Sequence, residues 1–194
     1  LISDPVMENV TTLTHEELNK VRFAKGAFAP RGQMYYPIHI PQSVDLKGAI
    51  LKGIKNTCRD MLAPMPIIGV RGIRYVANKS RKWPLQHGTK KANHYLAQIV
   101  RMQEEIGTGG GGFRFIYAAF LQEAAVILEN EKLKELAAEM TIIGDLWRDF
   151  AVNASRVYKN RSTQADVYNT IADELLAIAD MEEVFFKKLK LAIK

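Results

Sequence analysis

The 194-residue chain has a formal net charge of +6 at pH 7, and 47% of its residues are hydrophobic. This composition excludes a disordered or fibrous protein and supplies enough apolar side chains for a substantial core. The single cysteine, Cys58, excludes an internal disulfide framework and a cysteine-rich zinc site, and it fits a reducing compartment. No apolar run approaches the roughly 20 residues that span a bilayer, and no signal-peptide pattern is present, so we expect a cytoplasmic protein without a membrane partner.

Charge is unevenly distributed along the chain. Residues 1–60 carry 8 basic and 6 acidic side chains, residues 61–103 carry 8 basic and none acidic, and residues 104–194 carry 11 basic and 15 acidic. Clustered positive charge attracts acidic partners, so the middle block predicts a docking surface for one. A solvated basic face explains the same pattern. The candidate partner-binding residues are Arg71, Arg74, Lys79, Arg81, Lys82, Lys90 and Lys91.

The first 41 residues predict a small segment that contains β-structure. The opening "LISDP" is typical of a strand that ends in an Asp-Pro turn, which indicates a fragment that lacks its beginning. A helix is predicted from the capping box of Thr14 and Glu17 to Gly26. Residues 33–41, "QMYYPIHIP", are rich in aromatic and branched side chains, and Pro37 favours an edge strand.

After Pro41 the pattern predicts a domain of about six helices. Ser43 is the expected cap of a helix over about 44–62. Two helices follow in the basic block of residues 61–103, and three more are predicted over about 113–129, 131–159 and 162–192. We therefore predict a mainly α fold (α+β overall), with a β-containing segment at 1–41 and a helical domain at 42–194. The apolar stripes of the last two helices comprise Leu136, Ile143, Trp147, Phe150 and Val157, then Ile171, Leu175, Ile178, Met181, Phe185 and Leu189.

The run "GTGGGGFRFIYAAF" is the first candidate binding site. The N–H groups of Gly109, Gly110, Gly111 and Gly112 can converge on an anion at the start of the next helix, and Arg114 adds a fork of donors. A plain interhelical turn is the favoured explanation of the run, and no nucleotide-binding fingerprint surrounds it.

Three residues of the helix after the glycines complete this candidate site. Arg114 and Glu123 lie off its apolar stripe and face either a cleft or water, whereas Tyr117 belongs to the stripe. If the site binds a ligand, replacing Arg114 with Ala is expected to weaken binding and leave the fold intact.

Isolated polar residues give weaker signals. Asp4 before Pro5 is typical of a turn cap, with an orienting catalytic carboxylate as the alternative. Cys58 lies on the apolar side of its helix, so a buried thiol is favoured over a nucleophile. The four histidines show no metal-ligand spacing, and we predict no metal and no cofactor.

Several stretches together resemble one family. "ISDP" followed by "TLTHEELNKVRFAKG" is similar to the end of the papain-like N-terminal domain in the BtrH-like family of butirosin-biosynthesis acyltransferases. "GIRYVANKSRKWP" and "GTGGGGFRFIYAAFLQEAA", with Trp147 in the next helix, resemble the helical domain of unknown function that follows it. The resemblance covers nearly the whole chain.

The resemblance implies a cysteine-dependent acyltransferase or amide-forming hydrolase of antibiotic or peptide biosynthesis. Of its catalytic triad only Asp4 maps onto this sequence, so the Cys and His would precede Leu1. The implied partners are an acidic acyl-carrier protein that brings a thioester and a small-molecule amine that accepts the acyl group. We expect no nucleic acid.

Two alternatives to this function stay open. One is a non-catalytic helical binding module with an anion pocket in the glycine loop. The other is a structural domain that forms a homodimer through its two long C-terminal helices.

Overall fold

The structure of the protein is a computed structural model that describes residues 1–2, 8–26, 29–106, 109–161 and 166–193. The chain divides into two compact units, Leu1–Val44 and Asp45–Lys194. The first contains α1 (His15–Arg22). The second contains α2 (Leu46–Met61), α3 (Gly69–Ser80), α4 (Trp83–His87), α5 (Thr89–Glu104), α6 (Arg114–Leu128), α7 (Glu131–Tyr158) and α8 (Val167–Ala192).

The predicted capping box begins α1. The Glu17 backbone N–H donates to the Thr14 hydroxyl at 3.2 Å, and the Thr14 N–H donates to the Glu17 carboxylate at 2.9 Å. Two free N–H groups of the first turn are thereby satisfied, which confirms the box. The helix ends at Arg22, earlier than predicted, and none of its residues is buried.

The predicted strand at 33–41 is wrong. No residue of this segment takes part in a described β-ladder, and Tyr35 and Ile38 are 87% and 92% exposed. A strand needs a neighbouring backbone to bond with, and high β-propensity cannot replace one. Within the described residues, β-pairing is limited to one antiparallel bridge between Ile2 and Thr11.

The second unit confirms the mainly α fold. Its described part has six helices of twelve or more residues and the five-residue α4. The long helix α7 packs against α5, α6 and α8, and α8 also packs against α2 and α3. The core therefore lies around α7 and α8. The helix predicted to be capped by Ser43 begins at Leu46 instead, because the Asp45 carboxylate accepts the Gly48 N–H at 2.9 Å.

The apolar stripe of α8 contains one exception to the prediction. Met181 is 36% exposed, and the neighbouring Glu182 is fully buried in its place. The other predicted stripe residues of α7 and α8 are buried. A carboxylate thus occupies a core position in the middle of α8, and it requires partners that its own helix does not provide.

Residues Gly111–Leu128 form the one described stretch with the length and composition of a membrane-spanning helix, at a mean hydropathy of 1.3. The prediction that no apolar run approaches the length of a membrane span is therefore wrong. Ala118, Leu121 and Ala124 of this stretch are buried in the core of the helical unit. Packing of α6 against α7 accounts for the apolar face that they form.

Asn130 joins the start of α7 to the end of α8. Its side-chain oxygen accepts the Lys132 N–H at 3.1 Å, which caps α7. Its amide donates to the Ala192 carbonyl at 2.9 Å, which satisfies an acceptor in the last turn of α8. One side chain thus serves two helix ends.

Replacing Asn130 with Ala is expected to lower the free energy of unfolding by about 2 kcal/mol, because a cap and a second hydrogen bond are lost. Asn130→Ser, which keeps a capping oxygen and loses the bond to Ala192, should cost about half as much. Urea unfolding of the three proteins measures both values. Equal stability of the Ala and Ser variants would show that capping by Asn130 contributes nothing.

Candidate functional site

The glycine run forms a tight turn between α5 and α6. All four residues from Gly109 to Gly112 have positive φ angles, between 55° and 85°, which glycine adopts without steric cost. Phe113 follows with φ 70°, a left-handed conformation that costs a non-glycine residue about 1–3 kcal/mol. A single 3-10 turn, Gly111–Phe113, then leads into α6. The turn therefore fixes where α6 begins.

The loop already holds a carboxylate of its own chain. The Gly111 N–H donates to the Glu104 side chain at 3.0 Å. A Cβ atom built on Gly110 would lie 3.1 Å from both the Glu104 carboxylate and the Arg148 guanidinium. Glu104, at the end of α5, thus supplies an anion for this loop from within the protein, and it engages the Gly111 N–H.

Arg114 is also engaged within the protein. Its Nε donates to Glu182 Oε1 at 2.8 Å, and one terminal nitrogen donates to Glu182 Oε2 at 3.1 Å. The other terminal nitrogen donates to the Gly112 carbonyl at 2.7 Å. The donor fork that the sequence assigned to a ligand therefore binds the buried carboxylate of α8.

Trp147 completes the partners of Glu182. Its indole N–H donates to Glu182 Oε1 at 2.7 Å, and the Arg114 guanidinium lies 4.8 Å from the Trp147 ring centroid. Glu182 is fully buried and the Arg114 side chain is 17% exposed. Two N–H groups from α6 and one from α7 thus compensate the carboxylate, as a buried charge requires.

A cavity of about 290 Å³ adjoins this ion pair. Most of its wall is apolar, and Arg114 is the charged side chain in it. The described residues that line it are Thr57, Met61, Gly112, Phe113, Arg114, Tyr117, Met140 and Phe186. The volume lies near the lower end of the range of small-molecule sites, about 300–1,000 Å³, and an apolar lining with few polar groups is typical of them.

Tyr117 contributes a deeply placed hydroxyl beside this cavity. The Tyr117 oxygen is buried without a well-formed hydrogen bond. Burial raises the pKa of Tyr117 well above its usual value, and the neighbouring Thr57 hydroxyl lowers the pKa only in part. The phenol therefore stays neutral at physiological pH.

Two candidate residues do not join the site. Glu123 is exposed, and it lies nine residues after Arg114, about two and a half helical turns, so it occupies the opposite face of α6. The structure therefore does not bring Glu123 together with Arg114, and the predicted ligand-binding role of Glu123 stays a prediction. Asp4, the predicted orienting carboxylate, lies outside the described residues.

The three candidate partner-binding arginines of the basic block make intramolecular contacts. Arg74 donates to Asp180 and Glu183, both at 2.6 Å, and Arg81 pairs with Asp173 at 2.6 Å. These contacts join α3 and the residue after it to α8, so Arg74 and Arg81 are engaged within the protein, and their part in binding a partner stays a prediction. The third, Arg71, donates to the Pro64 carbonyl at 2.7 Å.

The four lysines of the block, in contrast, are exposed and form no ion pair with a described residue. Lys79 and Lys91 lie over the rings of Tyr75 and Tyr95, at 5.4 and 5.8 Å from the ring centroids. Lys90 and Lys91 also line an open cavity of about 950 Å³. His87, His94, Asn93, Tyr158 and Asn160 contribute to the same wall.

Cys58 is not a candidate nucleophile. It is 1% exposed, and burial raises the pKa of its thiol to about 11, while Lys190 lowers this pKa only in part. The reactive thiolate is therefore scarce at neutral pH. Among the residues that the structure describes, no group of three or more His, Cys, Asp or Glu side chains has a metal-binding arrangement.

Sequence reasoning missed Glu182, although a signal for it exists. The buried residues Ile171, Leu175, Ile178, Glu182, Phe185 and Leu189 follow one another at alternating spacings of four and three. Glu182 fits this register and Met181 does not, so the repeat alone places a carboxylate in the core. The predicted stripe includes Met181 instead, because only apolar side chains were assigned to the core.

Comparison with known proteins gives a family. A family model described as Domain of unknown function (DUF4872) matches residues 16–189. The matched range includes every helix of the second unit except the last residues of α8. No curated protein and no solved structure matches the chain.

Replacing Arg114 with Ala is now expected to lower the free energy of unfolding by about 3–5 kcal/mol, because it leaves the buried Glu182 carboxylate without its cation. The sequence-based expectation of an intact fold is thereby replaced. Arg74→Ala, which breaks a more exposed pair, should cost at most about 1 kcal/mol. Urea unfolding measures the two variants. A loss below about 1 kcal/mol for Arg114→Ala would contradict a structural role.

Proposed function

For this chain, which belongs to the family described as Domain of unknown function (DUF4872), we propose a function as a ligand-binding module. The helical unit holds a small apolar group, most simply an acyl chain, in the cavity beside Arg114. The observation that carries the proposal is the composition of this cavity, in which aromatic and thioether side chains surround a single charged group. Apolar burial supplies affinity and the polar group orients the ligand.

The side chains around the cavity suit an acyl chain. Met61, Met140 and Phe186 come from three different helices, α2, α7 and α8. Methionine is unbranched and polarizable, so it adapts to flexible apolar ligands of different lengths. Phe113 is 55% exposed at the loop side of the cavity, where a bound chain would cover part of its ring.

The acyltransferase function implied by the sequence resemblance is compatible with this module and stays a prediction. In it, the helical unit positions the acyl group of a thioester while a thiol from outside this 194-residue sequence attacks the carbonyl. The tetrahedral intermediate then expels the carrier thiolate, and an amine takes the acyl group from the enzyme thioester. The described residues contribute binding to this scheme, because their one thiol, Cys58, is buried.

We propose, second, that the exposed lysines recruit an acidic partner, such as an acyl-carrier protein. The specific observation is that Lys79, Lys82, Lys90 and Lys91 remain without intramolecular ion pairs among the described residues, while the neighbouring arginines are paired. Solvated ammonium groups on one block raise the rate of encounter with an anionic surface.

Filling the cavity should abolish binding of an acyl probe. Thr57 lines the cavity on α2, so Thr57→Phe places a ring into it, whereas Asn56→Phe adds the same ring at an exposed position that does not line it. We expect the N-acetylcysteamine thioester of hexanoic acid to bind the unmodified protein and Asn56→Phe equally, and Thr57→Phe at least about tenfold more weakly. Calorimetric titration measures this. Equal binding by both variants would place the ligand elsewhere.

Reversing two lysines should weaken docking of an acidic acyl-carrier protein. The double variant Lys90→Glu with Lys91→Glu is expected to bind it about tenfold more weakly at low salt and to lose much of the salt dependence. Reversal of Lys52 and Lys55, which are exposed on α2, makes the same change in net charge at another surface. Titrations at several salt concentrations compare the pairs. An equal loss for both would indicate nonspecific charge attraction.

A further inference from the structure

The charged end of the cavity is a pair of groups and not a lone cation. Arg114 lines the cavity with 17% of its side chain exposed, and Glu182 lies behind it, fully buried. The guanidinium and the carboxylate approach within 2.8 Å, so the positive charge that the cavity presents is already compensated. The remaining described lining residues are uncharged.

Arg114 nevertheless keeps donors for a ligand. A guanidinium carries five N–H groups, one on Nε and two on each terminal nitrogen. The hydrogen bonds to Glu182 and to the Gly112 carbonyl engage Nε and one N–H of each terminal nitrogen. These three bonds leave one N–H on each terminal nitrogen unengaged, and Arg114 is part of the cavity wall. These groups can donate to an oxygen of either a neutral or a charged ligand.

Whether the cavity favours a neutral or a charged ligand depends on the charge of the oxygen that accepts from Arg114. A neutral carbonyl accepts such a hydrogen bond and leaves the pair balanced. A carboxylate would be a second anion facing one cation in an apolar, poorly hydrated space, where like charges repel strongly and desolvation costs are high. Besides Arg114, the described partner of Glu182 is the neutral indole of Trp147, so this network offers no second cation for the incoming charge.

We propose that the cavity selects neutral acyl compounds, namely amides, esters and thioesters, and discriminates against the free carboxylic acid with the same chain. Glu182 is the specificity-determining residue, and it acts through Arg114 without touching the ligand. The inference rests on the proposed binding function and adds the class of ligand to it. A consequence is that an acyl donor is retained, whereas its hydrolysed form is released.

A matched pair of ligands tests the inference on the full 194-residue chain. N-methylhexanamide and hexanoate share one acyl chain and differ in charge at pH 7. We expect the amide to bind at least about tenfold more tightly by calorimetric titration. The chain has two tryptophans, Trp83 and Trp147, and hence two indole N–H signals in an ¹⁵N-labelled sample. Binding in the cavity should shift the Trp147 signal and leave that of Trp83 in place.

Removing the buried negative charge should abolish the preference. Glu182→Gln keeps the shape of the side chain and its acceptor oxygen, but it leaves Arg114 uncompensated, so hexanoate should gain at least about tenfold relative to the amide. The control is Glu183→Gln, the same change one residue along α8, where the carboxylate pairs with Arg74 and Lys187 at the surface. It should leave the ratio unchanged.

The possible results separate the inference from the function on which it rests. Hexanoate that binds the unmodified protein as tightly as the amide, with a shift of the Trp147 signal, would overturn the neutral-ligand inference and leave the binding module standing. If neither compound binds or shifts Trp147, both fail. The comparison in the unmodified protein decides the matter even if Glu182→Gln does not fold.

Discussion

The carboxylate of Glu182 is the constraint around which the helical unit is arranged. A buried carboxylate is costly unless cations and N–H groups meet it with good geometry. Here the donors come from α6 and α7, and the acceptor from α8. The three helices must therefore keep one relative register, since a slip of any of them would leave a charge without its partner. Replacing such a network with apolar side chains often increases stability in other proteins, so we infer that its benefit here is specificity of register.

The glycine run follows from this constraint. For the Arg114 fork to reach Glu182, α6 must begin immediately after a sharp change of direction, and four consecutive positive φ angles provide it. Packing adds a second demand at Gly111 and Gly144. A Cβ atom at either would lie within 2.9 Å of the Phe115 ring. The Arg148 guanidinium lies over the same ring, 4.2 Å from its centroid. The glycine run thus fixes where α6 begins, and by doing so it places Arg114 in the cavity wall.

Local patterns predicted the helices well, because capping and apolar periodicity depend on nearby residues. The Thr14 box and the stripe of α7 needed only spacings of three and four. Long-range partners could not be predicted in this way. The strand expected at 33–41 had the right composition and no backbone to pair with, and the role of Arg114 depended on a residue 68 positions away. Glu182 itself was predictable from its register, but its charge argued for the surface, and a carboxylate is buried only when distant donors exist.

The basic block shows how the same charge serves two purposes. Part of its positive charge is paired with acidic residues of α8, where Asp173, Asp180 and Glu183 bind Arg74 and Arg81. A planar guanidinium loses little freedom in a fixed ion pair, so arginine suits a permanent contact between helices. A strongly hydrated ammonium on a flexible stem gains less from such a contact and remains available to solvent. The division between paired arginines and open lysines is what a surface needs if it must hold the fold together and still attract a transient acidic partner.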